Sequence, residues 1–333
     1  MAKTKTAGIE GEVKTGFVAK LRRQAEQSLA FASLIVIFAF FAIANSNFYS
    51  WDNINGILLS TAVTGTLAIG TTFVIITGGI DLSIGTGTTL TAVVTAVFLS
   101  KLHFSAPAGV VVGLACGALM GAISGILITY LKLPPFIATL AMMMVAKGLA
   151  LVISGVAPVY TDSVAGWHTI ALGNLIPNFP NAVLIFFGSA ILASIVLNRT
   201  IIGRYTFAIG SNEEATKLSG VNVRKWIIII YTIGGLFVGL AGILLTSRLN
   251  SAQPALGQGY ELEAIAAVII GGTSLLGGKG SILGTVIGAL IMAVLINGLR
   301  IMQIQQEWQT VVVGVVIVFA VYTDSLRRRR AGI

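Results

Sequence analysis

Residues that carry out chemistry in enzymes are scarce in this chain, and the most suggestive is a lysine in a glycine-rich stretch. Lys279 lies in GGTSLLGGKGS, which superficially resembles a phosphate-binding loop. That loop needs a glycine, four residues and then Gly-Lys-Ser/Thr, because its amides, lysine and hydroxyl contact the nucleotide and magnesium. Here Thr273 replaces the first glycine and Gly280 replaces the hydroxyl residue. The stretch predicts that this chain itself binds neither ATP nor magnesium.

Candidate metal ligands and nucleophiles are equally sparse. The chain has two histidines, His103 and His168, and one cysteine, Cys116, with none of the close spacing of a zinc site. Both histidines fall between apolar runs, so a nucleophile within the membrane would have no histidine base beside it. We therefore expect no catalytic residue, no metal site and no cofactor bound by this chain.

An aspartate between two apolar runs is the clearest polar exception. Asp81 lies in TGGIDLSIG and precedes Ser83. A carboxylate at the bilayer centre costs about 2.5–3.5 kcal/mol. We therefore expect Asp81 in a turn, hydrated or hydrogen-bonded to Ser83, where it caps the following helix. Whether these two residues serve packing alone or line a path for a solute stays open, as does the role of Lys147 within another run.

A second polar cluster follows a long apolar run near the middle of the chain. Its members are Asn250, Gln253, Gln258, Tyr260, Glu261 and Glu263, with Arg248 and Arg300 expected on the same side of the membrane. Two interpretations remain: an ordinary hydrated loop, or the external mouth of a translocation path.

The stretch SNEEATKLSGVNVRK, Ser211–Lys225, is a polar insert between apolar runs. Ser211 and Glu214 have the spacing of a capping box, and Gly220 is a typical C-terminal stop. They predict a helix of two turns, about 12 Å long. A helix this short is unstable alone in water, so its apolar face, Ala215 and Leu218, must rest on the chain's own membrane domain or on a partner. A connector lying on the lipid interface is the alternative.

The overall composition indicates the environment in which these residues lie. The chain has 333 residues, of which 56% are hydrophobic and 10% charged, against about 25% charged in soluble domains. This predicts a membrane protein in contact with lipid. The net charge of +9 does not indicate nucleic-acid binding, because the basic residues sit between apolar runs rather than on one face.

The apolar runs predict an all-α, polytopic membrane protein with eight to ten transmembrane helices. The candidate spans are Leu29–Asn45, Ile54–Ile76, Leu82–Leu99, Ala106–Leu131, Phe136–Ser154, Ala182–Leu197, Trp226–Ser247, Leu262–Leu276, Ile282–Met302 and Thr310–Thr323. Three are short enough to be broken or re-entrant: Leu82–Leu99, Leu262–Leu276 and Thr310–Thr323.

The distribution of Lys and Arg predicts the orientation. With both termini cytoplasmic and sides alternating, 17 of the 21 basic residues lie inside, as the positive-inside rule requires. The predicted organisation is a cytoplasmic arm at 1–28, a transmembrane domain at 29–325 containing a cytoplasmic segment at 199–225, and a basic tail at 326–333.

Glycines recur every four residues from Gly109 to Gly125 within a single span, and the pattern repeats from Gly280 to Gly288, with Gly235 and Gly239 as a shorter pair. On a helix each series forms a bare stripe. Such stripes let helix backbones approach closely in lipid, so we expect tight packing along them, with helix sliding as the alternative.

Three stretches identify a family. TGGIDLSIG (Thr77–Gly85), LPPFIATLAMM (Leu133–Met143) and above all SAQPALGQGYELEAIAAVIIGGTSLLGGKGS (Ser251–Ser281) are similar to the ribose and related monosaccharide permeases of bacterial ATP-binding-cassette (ABC) importers. The polar insert resembles their coupling helix. The resemblance covers about residues 30–325 and is weakest at the ends and in the loop Gly155–Asn181.

The resemblance implies an inner-membrane permease without enzymatic activity. It implies a second copy of the permease, a separate ABC ATPase that uses ATP and magnesium, and a periplasmic sugar-binding protein. By analogy the ATPase groove would receive six residues: Asn212, Glu213, Glu214, Ala215, Leu218 and Gly220. The competing hypotheses are an ion-coupled secondary transporter of a small polar solute, against which the scarcity of ionisable residues counts, and an intramembrane enzyme. The sugar is not readable; ribose is the nearest candidate.

Overall fold

The computed structural model describes residues 28–331, with side chains for 28–326. Two predicted segments lie outside the residues whose side chains are described. They are the N-terminal arm, apart from residue 28, and the tail from residue 327 onward. Across the described range the chain is almost entirely helical, which confirms the predicted all-α class.

The elements follow one another along the chain in a simple order. The helices are α1 Ser28–Ala44, α2 Trp51–Ile76, α3 Ile84–Ser100, α4 Ala106–Thr129, α5 Pro135–Ser154, α6 Thr169–Leu172, α7 Asn181–Arg199, α8 Ile201–Ser211, α9 Glu213–Leu218, α10 Val223–Leu249, α11 Tyr260–Ile270, α12 Ile282–Ile301 and α13 Gln306–Ala331. A 3₁₀ turn covers Ser46–Tyr49, and the short strands β1 Val159–Tyr160 and β2 Ser251–Ala252 pair antiparallel.

Seven of the described helices are long and apolar enough to cross a membrane, and α1 and α3 are shorter apolar helices. The predicted span Leu262–Leu276 is wrong as a continuous helix. Its helical part, α11, has 11 residues, about 16 Å against a hydrocarbon core of about 30 Å. The predicted short span Thr310–Thr323 is instead part of the long helix α13. The orientation of the termini stays a prediction.

Burial separates central helices from peripheral ones. In its most apolar window, α2 is 83% buried within the chain, whereas α13 is 6% buried. The main core forms around α2, α10, α11 and α12. The outer face of α13 is therefore left to lipid or to another polypeptide.

The glycine stripe of α4 packs directly on α10, as predicted. A Cβ added at Gly117 would collide with the carbonyl oxygen of Gly235, and one at Gly121 would collide with the carbonyl oxygen of Tyr231. The two backbones touch with no side chain between them. In lipid, where apolar burial gives little drive for helices to associate, this close approach holds the pair together.

We expect Gly117→Ala to separate α4 from α10. The new methyl group meets backbone atoms of Gly235 and Gly239, which cannot rotate away, so overpacking should cost about 1–3 kcal/mol. The measurement is the thermal transition of the detergent-purified chain. Gly148→Ala is the matched control, since a Cβ there would have no described atom within 4 Å. Equal transitions for the two variants would contradict the packing described.

Threonines are numerous in α2 and α3, yet their hydroxyls are mostly bonded within their own helix. Thr61, Thr66 and Thr71 each donate to the carbonyl four residues earlier, at 2.8, 2.6 and 2.9 Å. Thr72 does the same at 2.8 Å and also lies 2.7 Å from the hydroxyl of Thr285 in α12. Most threonine hydroxyls of α2 and α3 therefore have a hydrogen-bond partner within their own helix and need none from another helix.

The loop between α5 and α7 is fastened to the end of α10. The Thr161 N–H donates to the carbonyl of Asn250 at 2.8 Å, beside the β1–β2 pair. The Ser247 hydroxyl donates to the carbonyl of Trp167 at 2.7 Å and accepts from the Ala171 N–H at 2.9 Å. The loop thus has a defined position on the face of the molecule opposite α9.

Candidate functional site

The polar insert forms two helices joined at Asn212. The α8 helix continues through Ser211, so the predicted capping role of Ser211 is wrong. Asn212 is the N-cap of α9: its backbone is extended and its side-chain oxygen accepts from the Ala215 N–H at 2.9 Å. The first turn of α9 contains Glu213 and Glu214, where the partial positive charge of a helix N-terminus stabilises carboxylates. Asn212 therefore sets where α9 begins, and the two carboxylates lie at that end of the helix.

The α9 helix is shorter than predicted and points away from its own chain. It has six residues, about 9 Å. Gly220 follows it with φ +84°, as expected for a stop. Leu218 is 83% exposed, and Asn212, Glu213, Glu214, Ala215 and Gly220 are exposed as well. The predicted apolar face thus does not rest on this chain's membrane domain; Thr216 is the buried residue of α9.

The Asp81 side chain is buried in the loop between α2 and α3. Its Oδ1 accepts from the Ser83 N–H at 2.8 Å and from the Ser83 hydroxyl at 2.6 Å, which confirms the predicted bond to Ser83. The predicted capping role is wrong in detail, because Ser83 itself is the N-cap of α3. Thr139 of α5 holds the same loop: its hydroxyl accepts from the Leu82 N–H at 3.2 Å and donates to the Ile80 carbonyl at 3.2 Å.

The helix that follows Asp81 begins deep inside the molecule. Gly87, in the first turn of α3, packs on Val238 of α10. Val238 is 15 residues into the 27 residues of α10, roughly 22 Å from its start. Non-helical backbone at such depth is tolerated only where protein buries it or where it lines a cavity. The Asp81 loop satisfies this condition because protein buries it: Asp81 and Ser83 are each 4% exposed.

The start of α11 meets the start of α3. The Glu261 carboxylate accepts from the Gly259 N–H at 3.1 and 3.2 Å and lies against Gly85, where any Cβ would collide with it. The Gly257 N–H donates to the Thr89 hydroxyl at 2.9 Å. Glu261 is thereby brought beside the helix that Asp81 and Ser83 precede.

A separate polar cavity of about 90 Å³ lies between the first half of α2, the end of α10, the start of α11 and the last half of α12. Tyr260 lines it together with Arg248, Glu263 and Arg300, so these residues converge as expected. Asn250 does not: it is the left-handed C-cap of α10. Gln253 and Gln258 are exposed and do not line the cavity either.

Sequence reasoning missed three further polar residues of this cavity, Ser60, Thr64 and Asn297. Two spacings would have pointed to them. Ser60 and Thr64 are four apart on α2, and Asn297 precedes Arg300 by three on α12, so each pair shares a helix face. Small-molecule pockets usually measure about 300–1,000 Å³. The cavity is thus too small for a sugar in this conformation.

Within the part of the chain that the structure describes, no group of three or more His, Cys, Asp or Glu side chains is placed to hold a metal ion.

Two features of this fold are those of a transport subunit. Helices start at mid-depth within a polytopic helical domain, and a polar helix is exposed outside that domain. The chain belongs to the family whose model is described as "Branched-chain amino acid transport system / permease component" and matches residues 53–321. With seven helices long and apolar enough to cross a bilayer, it is a multi-pass protein of the inner membrane.

Individual relatives in this family are sugar permeases. The chain is 42% identical to the ribose import permease protein of Escherichia coli K12 over 89% of its length and 92% of the relative's. It is 37% identical to the fructose import permease protein of Rhizobium meliloti, over 98% and 94%. It is 34% identical to the xylose transport system permease protein of Escherichia coli K12, over 90% and 92%. No solved structure gives a significant match. The predicted kinship with sugar permeases is confirmed.

Proposed function

We propose that this chain is the membrane-spanning subunit of an ABC importer that moves a monosaccharide of the ribose type into the cell. ATP is hydrolysed by a separate subunit that docks on α9, and a sugar-binding protein delivers the solute from outside. The functional unit contains a second copy of this permease. The observation that carries the proposal is the exposed, acidic-headed α9 in a chain similar to sugar permeases over nine-tenths of its length.

The coupling segment, residues 199–225, supports docking by its shape and charge. Glu213 and Glu214 are the only acids in it, among five Lys and Arg residues. An exposed six-residue helix is not stable alone, but here Asn212 caps it, Thr216 is buried, and α8 is joined to it directly at Asn212. A partner that binds this small helix therefore pushes on the membrane domain.

The interior supports passage of a neutral, hydroxyl-rich solute. The loops beside Asp81 and Glu261 bring backbone N–H groups and the Thr89 hydroxyl into the protein interior. Because these groups are bonded within the chain in this conformation, a sugar gains them as partners only when the helices separate. In this proposal the chain holds and releases the solute without bond chemistry. Since the polar cavity is smaller than a sugar needs, transport requires helices to move apart, as docking and release of the partners would allow.

The sugar assignment follows the relatives. The ribose permease relative is more similar to this chain than the fructose and xylose permeases are. We therefore take a pentose as the preferred solute. Competition of radiolabelled D-ribose uptake by unlabelled D-xylose and D-fructose ranks the candidates.

Reconstitution tests the whole proposal. The chain is placed in liposomes with and without a co-expressed ABC ATPase and a sugar-binding protein, and D-ribose uptake is measured. We expect uptake to require both partners and internal ATP, and to be insensitive to collapse of proton and sodium gradients. Gradient-driven uptake by the chain alone would show an ion-coupled transporter instead.

A further inference from the structure

The exposure of α9 means that any movement imposed on it must enter the membrane domain through its neighbours. The helix before it, α8, ends at Ser211, one residue before the Asn212 cap. The last turn of α8 contains Gly210, and this glycine is the point at which α8 meets two loops from distant parts of the chain.

Three backbones converge on the carbonyl oxygen of Ile76 at the end of α2. The Gly278 N–H donates to it at 2.8 Å. A Cβ at Gly210 would collide with this oxygen, and would lie 2.6 Å from the Gly278 nitrogen. A Cβ at Gly277 would lie 2.8 Å from the Gly210 oxygen, 2.9 Å from the Gly78 nitrogen and 2.9 Å from the Ile76 oxygen. We call these four glycines and the Ile76 carbonyl the glycine joint.

The joint has no side chain between its three backbones. A displacement of the end of α8 therefore cannot be absorbed by rotation of a side chain. Gly78, Gly277 and Gly278 also have φ of +82°, +86° and +73°, which only glycine adopts readily, so larger residues are excluded at the joint on conformational grounds as well.

Each loop at the joint leads to a helix that starts or ends inside the molecule. From Gly78 the chain runs through Asp81 to the start of α3. From Gly277 it runs back to α11 and forward to α12. The same two loops therefore connect the coupling segment to Asp81 on one side and to the helix of Glu261 on the other.

We propose that the glycine joint is where movement of α9 enters the membrane domain, with Gly210 as the positioning residue. The joint passes the displacement of α8 simultaneously to the Asp81 loop, residues 77–83, and to the loop between α11 and α12, residues 271–281. This inference rests on the proposed coupling function, and adds where within the chain the coupling is carried.

Gly210→Ala tests the joint with a single methyl group. Gly210 lies within α8, where alanine is intrinsically favoured over glycine, so its effect comes from the contact with Ile76. Gly188→Ala in α7 is the matched control, since a Cβ there would have no neighbour within 4 Å among the described residues. Three quantities are measured in the reconstituted importer: co-purified ATPase, ATP hydrolysis and D-ribose uptake.

We expect Gly210→Ala to keep its ATPase and its ATP hydrolysis but to lose about tenfold in uptake. Uptake equal to that of Gly188→Ala would overturn the joint. A parallel loss of co-purified ATPase would also overturn it, because Gly210 would then only support docking. ATPase-independent uptake by the unmodified chain would instead refute the proposed function, which keeps the two failures distinct.

A second variant decides the matter if Gly210→Ala does not insert. A Cβ at Gly280 would lie 2.6 Å from both Cγ1 and Cδ1 of Ile76 and 2.9 Å from Cγ2 of Thr273. Ile76→Ala removes the two nearer atoms while leaving the carbonyl in place, and Thr273→Ser removes the third. We expect Gly280→Ala to lower uptake without loss of ATPase, and the added Ile76→Ala to restore at least part of it. If the double variant, and a triple variant that adds Thr273→Ser, are no more active than Gly280→Ala, the joint is refuted.

Discussion

Reversing both charges of α9, with Glu213→Lys and Glu214→Lys in one variant, is expected to abolish association of the chain with its ATPase. Uptake of D-ribose should fall at least about 100-fold, because like charges placed across an interface cost several kcal/mol. The two glutamates are the only acids in the coupling segment, so the variant presents an entirely basic surface. Co-purification of the tagged permease with the ATPase measures the first effect, and liposome uptake the second.

The physical reason is local to α9. Both carboxylates lie in its first turn, where the helix dipole favours negative charge and disfavours lysine by a few tenths to about 1 kcal/mol. The Asn212 cap is untouched, so the helix still forms and the chain still inserts. What changes is the charge offered to the partner.

Glu307→Lys is the control for charge reversal as such. Glu307 is exposed in the first turn of α13, at the opposite end of the molecule, so the same chemical change is made far from α9. We expect full association with the ATPase. If the double α9 variant associated normally with the ATPase, α9 would not be part of the docking surface.

Replacing Asp81 should separate hydrogen bonding from charge. Asp81→Ala leaves the Ser83 N–H and hydroxyl without their acceptor in a buried loop, at a cost of about 1–3 kcal/mol. We expect uptake to fall about tenfold or more, with the ATPase still bound. Asp81→Asn retains an oxygen that accepts both bonds, and we expect it to keep most of the uptake.

The pair also tests the mechanism of energy supply. An ion-coupled transporter that used Asp81 would need its negative charge, so Asp81→Asn would be as inactive as Asp81→Ala. The control is Asp52→Ala, which removes an exposed aspartate from the first turn of α2 and should leave uptake unchanged. Uptake is measured in the same liposomes, with and without ion gradients.

The packing of the long helices was predictable, because glycine at every fourth position is a property of the sequence alone. Gly117 and Gly121 face α10 as their spacing requires. The short helices were less predictable. The run Leu262–Leu276 contains a sign that its helix stops at Ile270, the pair Gly271–Gly272, which the prediction of a continuous span overlooks; Gly272 has φ +88°.

The polar sites were predicted in part. The bond between Asp81 and Ser83 followed from their spacing, whereas the proximity of Glu261 to Gly85 arises from tertiary packing that no local pattern encodes. The spacing of Ser211 and Glu214 predicts a cap at Ser211, but α8 extends through Ser211. Asn212, with the same capping chemistry, takes the position instead.

The threonines of α2 have a consequence for biogenesis. Because Thr61, Thr66 and Thr71 bond to carbonyls of their own helix, the segment leaves the translocon without hydroxyls that need a partner in the hydrocarbon. Its entry into the bilayer therefore does not have to await the synthesis of α12, which lies more than 200 residues further along the chain. The Thr72–Thr285 contact can form late, when the inserted helices find one another laterally.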